Sequence, residues 1–228
     1  MEDTANIQLS PSVEDYLKGI YTLTERGDSA STSALAQTLG VQPASITGMI
    51  KRLATLGYVE HLPYKGVQLT KNGSIEALRI IRRHRVLETY LQERLGYTWS
   101  EVHQEADLLE HAVSDKLISR MAKVLKDPTH DPHGAPIPTE SGEIPKAHLL
   151  TLLDVRPDDL AQIEAVQDED PIKLQYLEES GLTPGVQVKI VKRNSFDQMT
   201  TVIVLASGDL QAVSRELAED IFVSKIRD

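Results

Sequence analysis

Two short apolar-striped segments on either side of a glycine turn constrain this chain more than any other feature. They lie in SASTSALAQTLGVQPASITGMIKRLATLGYVEHL, residues 29–62. Ser31 or Thr32 supplies a cap; Leu35, Ala36 and Leu39 mark one face of a short helix, and Gly40 breaks it. A second helix begins near Pro43, buries Ile46, Met49, Ile50 and Leu53, and stops at Gly57 with its other face polar. Two short helices, a tight turn and an open polar face are the layout of a helix-turn-helix. Residues 58–62 and 67–69 then alternate as strands around the turn Pro63-Tyr64-Lys65-Gly66, so a hairpin completes a winged helix. Upstream, Ser10-Pro11 opens a first helix whose Val13, Tyr16, Leu17, Ile20, Tyr21 and Leu23 keep helical spacing to about residue 26.

That order of elements points to double-stranded DNA. Pro43, Ala44, Ser45, Thr47 and Gly48 would lie nearest base edges, with Gln42, Lys51, Arg52 and Lys65 at phosphates or groove edges. The net charge of −10 by itself argues against a polyanion, but it is unevenly spread. Residues 33–85 hold eight Lys/Arg against Glu60 and Glu76, a balance of +6, whereas 154–181 hold nine acids against Arg156 and Lys173, a balance of −7. A basic segment binds phosphate locally whatever the total. No cysteine is present, which excludes disulfides, thiolate catalysis and Cys-type zinc sites. No apolar run approaches the roughly 20 residues that span a bilayer, and MEDTANIQLS is not a secretory signal, so a cytoplasmic protein with no membrane partner is expected.

Downstream, Thr70 caps a long helix from 71 to about 95 with an apolar stripe of Ile75, Leu78, Ile81, Leu87 and Leu91, ended by Gly96. Further helices are expected from Trp99-Ser100 to about 112 and from Ser114 to 125. Long striped helices attached to a winged helix suggest a homodimerisation module. Residues 126–148, KDPTHDPHGAPIPTESGEIPKAH, read as a linker or long ordered loop, in which metal binding by His130 and His133 is not expected. From 149 onward the pattern becomes short strands at 149–153, 162–166, 186–193, 199–205, 211–213 and 221–225, with one helix at about 171–180, which suggests a small barrel. The fold class expected is α+β.

The chemistry sits in HQEADLLEH, residues 103–111. On a continuous helix His103, Asp107, Glu110 and His111 would share one face. His84 and Glu88 are one turn apart on the preceding helix, and Asp15 adjoins the stripe of the first. Imidazole with carboxylate suits first-row divalent ions, and such a face is costly to bury unless a cation neutralises it. A solvated face of paired His and acid residues is the plainer alternative for any one pair. Six such residues on two neighbouring helices favour metal. No His-Glu-x-x-His, G-x-S-x-G or phosphate-cradling glycine loop is present, so neither an enzyme nor a small organic substrate is expected.

The segments SVEDYLKGIY, the winged helix, RRHRVLETYL, HQEADLLEHAVSD, KVLKDP with HGAPIP, and LEESGLTPGVQVKIV together resemble the diphtheria toxin repressor / manganese transport regulator family over nearly the whole chain. The resemblance implies a winged helix at about 1–72, a helical dimerisation and metal-binding domain at 73–147, and an SH3-like (FeoA-like) domain, related to a ferrous-transport accessory fold, at 148–228. It implies one metal site of Asp15, Asp107, Glu110 and His111, and a second of His84, Glu88 and His103 completed by oxygens of the third domain near Asp168-Glu169-Asp170. Iron-type members carry cysteine and methionine where Asp107 and Asp15 stand. Two hard oxygen donors favour Mn(II), with Fe(II) or another divalent transition metal as the alternatives. Manganese-type members can place an acid where Lys18 stands; an ammonium cannot ligate, so two separated sites are expected rather than a binuclear one. The implied function is a metal-dependent repressor of metal-homeostasis genes, in which a cation held by both domains fixes the angle of the reading heads and carboxylate repulsion frees them without it. A metal-dependent hydrolase and a metal-buffering, protein-binding module are the alternatives.

Overall fold

The computed structural model describes residues 9–25, 29–62, 66–145, 149–167 and 170–226. The chain divides into two compact units. One comprises Met1–Arg83, Glu110–Val113 and Pro138–Ile144, the other His84–Leu109, Ser114–Ile137 and Pro145–Asp228.

The first unit contains the winged helix. Helix α1 (Pro11–Glu25) turns Val13, Leu17 and Ile20 inward, α2 (Thr32–Thr38) adds Leu35, and α3 (Pro43–Thr55) adds Ile46 and Leu53. The Ser31 hydroxyl accepts from the Ala34 N–H at 3.1 Å and so fixes the start of α2. Proline at the first turn starts α3. Strands β1 (Val59–Leu62) and β2 (Gly66–Leu69) pair antiparallel from Val59↔Leu69 to Leu62↔Gly66. A Cβ on Gly66 would lie 2.4 Å from the Ala30 carbonyl oxygen, so only glycine lets the hairpin pass so close at φ +80°. The hairpin tip, with Pro63, Tyr64 and Lys65, lies outside the described residues. The Thr70 hydroxyl accepts from the Gly73 N–H at 3.1 Å and caps α4 (Lys71–Tyr90), as the sequence suggests.

The long helix differs from expectation at its end. Beyond Tyr90 the backbone widens into a π-helical turn (Leu91–Leu95), closed by Gly96 at φ +77°. Within the second unit, α5 (Val102–Leu109) is shorter than the helix expected to reach 112, and α6 (Asp115–Val124) follows with Ser114 as its cap. Because α5 stops at Leu109, Glu110 and His111 do not continue its face. The expectation of one helical surface bearing His103, Asp107, Glu110 and His111 is therefore corrected.

The remainder of the second unit is a six-stranded antiparallel sheet, in spatial order β3-β8-β4-β5-β6-β7. Its strands are β3 (Leu150–Thr151), β4 (Leu160–Val166), β5 (Gln187–Arg193), β6 (Thr200–Val204), β7 (Leu210–Val213) and β8 (Ile221–Lys225). Alternate residues Ile163, Val188, Ile190, Val202, Val213, Ile221 and Val223 fill one core with Leu174 and Leu177 of α7 (Pro171–Glu179). Register shifts between Ile163 and Ala165 and between Ile190 and Lys192 bend the long strands, as curling a small barrel requires. The first expected strand is cut to two residues because Thr151 and Asp154 form a reciprocal cap that turns the chain into a 3₁₀ turn. A short helix, α8 (Arg215–Asp220), was not foreseen.

Candidate metal centre and nucleic-acid interface

Asp15 projects from α1 toward the turn after α5, where Glu110 and His111 meet it. His111 Nε2 lies 2.9 Å from Asp15 Oδ1 and 3.6 Å from Glu110 Oε1. Its Nδ1 is 2.6 Å from Glu14 Oε2, so Glu14 accepts the Nδ1 proton and fixes the tautomer. Glu14 is itself buried, and its other oxygen accepts from Arg83 at 2.6 Å. Nε2 thus faces one oxygen each of Asp15 and Glu110, so three atoms able to ligate a metal point to one place. Burial, aided by the charge of Glu110, raises the pKa of Asp15 against the pull of His111 and Lys18. One imidazole nitrogen and two carboxylate oxygens within 4.8 Å of one another are a donor set that fits a first-row divalent cation. The carboxylates do not simply repel, as the sequence alone suggests. Arg83 neutralises Glu14, and the Lys18 ammonium donates to both Glu110 oxygens at 3.2 and 3.1 Å.

Within the second unit, three donor atoms form a nearly equilateral triangle. His84 Nε2 is 2.9 Å from Glu88 Oε1 and 3.0 Å from His103 Nδ1, which in turn is 3.1 Å from Glu88 Oε1. Metal–ligand bonds of about 2.1 Å place cis ligands about 3 Å apart, so these atoms have the spacing of one face of a coordination shell. Asp107, expected with Asp15, Glu110 and His111, places Oδ1 3.3 Å from His84 Nδ1 and Oδ2 3.5 Å from His103 Nε2. It touches the outer nitrogens of both imidazoles, which orients carboxylate-tethered ligand histidines toward a metal. Helical spacing of four residues from His103 on α5 explains this placement.

Glu88 also faces a third group, on the loop in which metal binding is not expected from the sequence. His133 is buried, with Nδ1 3.9 Å from Glu88 Oε1, and its Nε2–H donates to the Trp99 carbonyl at 3.0 Å. Asp131 Oδ1 accepts from the backbone N–H of His133 at 2.8 Å and of Ala135 at 3.0 Å, while Arg85 Nε lies 3.4 Å from Oδ2. Donor atoms of Glu88, Asp131 and His133 lie within 4.8 Å of one another. The loop is pinned here because the Trp99 indole N–H donates to the Pro132 carbonyl and Arg85 to that of Pro136. At Gly134, φ +85°, a Cβ would sit 2.0 Å from the Glu164 carbonyl oxygen. Burial alone would raise the Glu88 pKa, but His84, His103 and His133 outweigh it and hold the carboxyl well below its usual range. Burial and the adjacent Glu88 push Asp131 up to about 6. By contrast, His130 is exposed, and Asp168 and Glu169 lie outside the described residues; Asp170 caps α7.

The cap residue Gln42 and, on α3, Pro43, Ala44, Ser45, Thr47, Gly48, Lys51 and Arg52 are all exposed, while Ile46 and Leu53 are buried. A Cβ on Gly48 would meet nothing within 4 Å, so no packing contact accounts for glycine there. This open face is the one expected to read DNA.

Comparison with known proteins agrees with each part of this architecture. Residues 8–67 match the iron dependent repressor N-terminal DNA binding domain, 70–139 the iron dependent repressor metal binding and dimerisation domain, and 150–225 the FeoA domain. An HTH-type transcriptional regulator of Methanocaldococcus jannaschii is 40% identical over 114 residues, covering 50% of this chain and 91% of that protein. The iron-dependent repressor IdeR of Mycobacterium leprae is 27% identical over 231 residues, covering 96% and 99%. A solved manganese-dependent transcriptional repressor in complex with manganese superimposes with a TM-score of 0.88 at 38% identity, covering 94% of this chain and all of that one. Neither the hydrolase nor the metal-buffering alternative survives these likenesses: the chain belongs to the iron-dependent repressor family of metal-dependent transcriptional regulators.

Proposed function

We propose that this protein is a cytoplasmic, Mn(II)-activated repressor that binds operator DNA as a homodimer and controls genes of metal-ion homeostasis. The observation that carries the reading is the convergence of Asp15 Oδ1, Glu110 Oε1 and the Nε2 lone pair of His111, because it joins the reading head's first helix to the turn that follows α5. A bound divalent ion would supply charge and fixed ligand geometry at that point. Asp15, Glu110 and His111 would hold it, Glu14 would orient His111, and α1 would be tied to residues 110–113. His84, Glu88 and His103 would hold a second ion, with Asp107 outside them and Asp131 and His133 on the far side of Glu88. Carboxylate and imidazole donors without sulfur favour Mn(II), and the superimposable repressor was solved with manganese. Exposed Leu95, Leu108, Leu117 and Val124 offer apolar surface to a second copy. Among the described residues no helix is long and apolar enough to cross a membrane.

The test is selection of DNA from random sequence with Mn(II), Fe(II), Zn(II) or no metal. The expected result is enrichment of a two-fold symmetric site, with half-sites about 34 Å apart or a multiple of it, in Mn(II) and not without metal. Enrichment that does not depend on metal would overturn the proposal.

A further inference from the structure

Glu110 is a carboxylate almost wholly removed from water, at 1% exposure, and such a charge must be compensated where it stands. What compensates it here is Lys18, one turn beyond Asp15 on α1, whose ammonium reaches both Glu110 oxygens. The lysine remains one-fifth exposed on a flexible four-carbon stem, so its charge has a path to water. A divalent cation held by Asp15, Glu110 and His111 would meet that ammonium on the same carboxylate.

We propose that Lys18 is a resident counter-ion that competes with the activating metal for Glu110, and so sets the metal level at which the repressor is armed. This rests on the metal reading above. Without metal the lysine keeps Glu110 folded into its place. With metal, Glu110 must exchange an ammonium for a stronger cation, so the Asp15–Glu110–His111 site fills at a higher concentration than it would without the lysine charge.

The test is direct Mn(II) binding to the full-length protein, followed by the electron paramagnetic resonance of free Mn(II), for wild type, Lys18→Gln, Lys18→Met, Lys18→Arg and His111→Ala. His111→Ala identifies which sites belong to the first group. Removing the lysine charge should tighten that site about tenfold, the effect of a unit charge on a nearby divalent ion under near-water screening, and leave the Glu88 site unchanged. Lys18→Arg should bind as wild type. The metal-free unfolding midpoint should fall in both neutral variants, more in Lys18→Met, and recover with Mn(II); glutamine still donates to Glu110 and keeps that variant folded. Equal or weaker Mn(II) binding in the neutral variants overturns the proposal while leaving the metal reading intact. Identical Mn(II) binding by wild type and His111→Ala would remove the site itself, and both conclusions with it.

Discussion

Glu14 offers a sharp test of how the first site is held. Its side chain is 8% exposed and lies between Arg83 and His111, with 2.6 Å contacts to each. The Arg83 Nε is already buried without a hydrogen-bond partner, so the guanidinium depends on this carboxylate. Glu14→Gln keeps the shape and removes the charge. Truncating one partner of a buried ion pair costs roughly 3–5 kcal/mol, and an amide that still accepts one bond brings this to about 3 kcal/mol. For a chain of this size that lowers the metal-free unfolding midpoint by about 6–12 °C. The amide also no longer holds His111 Nδ1–H firmly, and losing the group that orients a ligand histidine typically weakens metal binding roughly 10–100-fold. Both quantities are measurable on one preparation, by circular dichroism during heating and by isothermal titration with Mn(II). A stability change under about 1 kcal/mol, the range of an exposed ion pair, together with unchanged Mn(II) affinity, would refute the reasoning.

Three further outcomes follow from other parts of the molecule. Lys51→Gln and Arg52→Gln should each lower the slope of log operator affinity against log salt by about one, without changing the preferred sequence; an unchanged slope would remove that residue from the phosphate contacts. Gly48→Ala places a methyl in open space within α3, so it should stabilise the fold by about 0.5–1 kcal/mol yet weaken Mn(II)-dependent operator binding in a gel-shift titration, and full retention of binding would mean that this face does not meet DNA. In the metal-free protein Asp131 keeps its proton up to about pH 6. Because its folded value is raised, its contribution to stability is full below the ordinary carboxylate range and is lost as pH rises through about 6. A carboxyl carbon resonance for Asp131 titrating below pH 4.5 would contradict that.

The winged helix and the barrel were legible in the sequence because their signals are local. Caps such as Ser31, Ser114 and Thr70 and alternation such as Val188, Ile190 and Val202 depend on residues a few positions away. The His, Asp and Glu side chains of the candidate metal groups stood out in composition, but how they group in space did not. Helical spacing put Asp107 and His111 on one face only while the helix was assumed to continue; its end at Leu109 separates them, and nothing in ADLLEHAV announces that end. The pairing of Lys18 with Glu110 spans 92 residues, and that of Glu14 with His111 spans 97, so no periodicity reveals either. Asp131 and His133 were passed over because Pro and Gly punctuation reads as a solvated loop, whereas Trp99, Arg85 and the close approach at Gly134 bury it.

The proposed cation would join Asp15 to Glu110 and His111 and thereby ready the reading heads. The most direct measurement is operator affinity as Mn(II) is added, for wild type beside His111→Ala. Wild-type affinity should rise roughly 10–100-fold, as a coupling of a few kcal/mol provides, while His111→Ala stays at its metal-free level. Equal response of the two proteins to Mn(II), or no response in either, would contradict it.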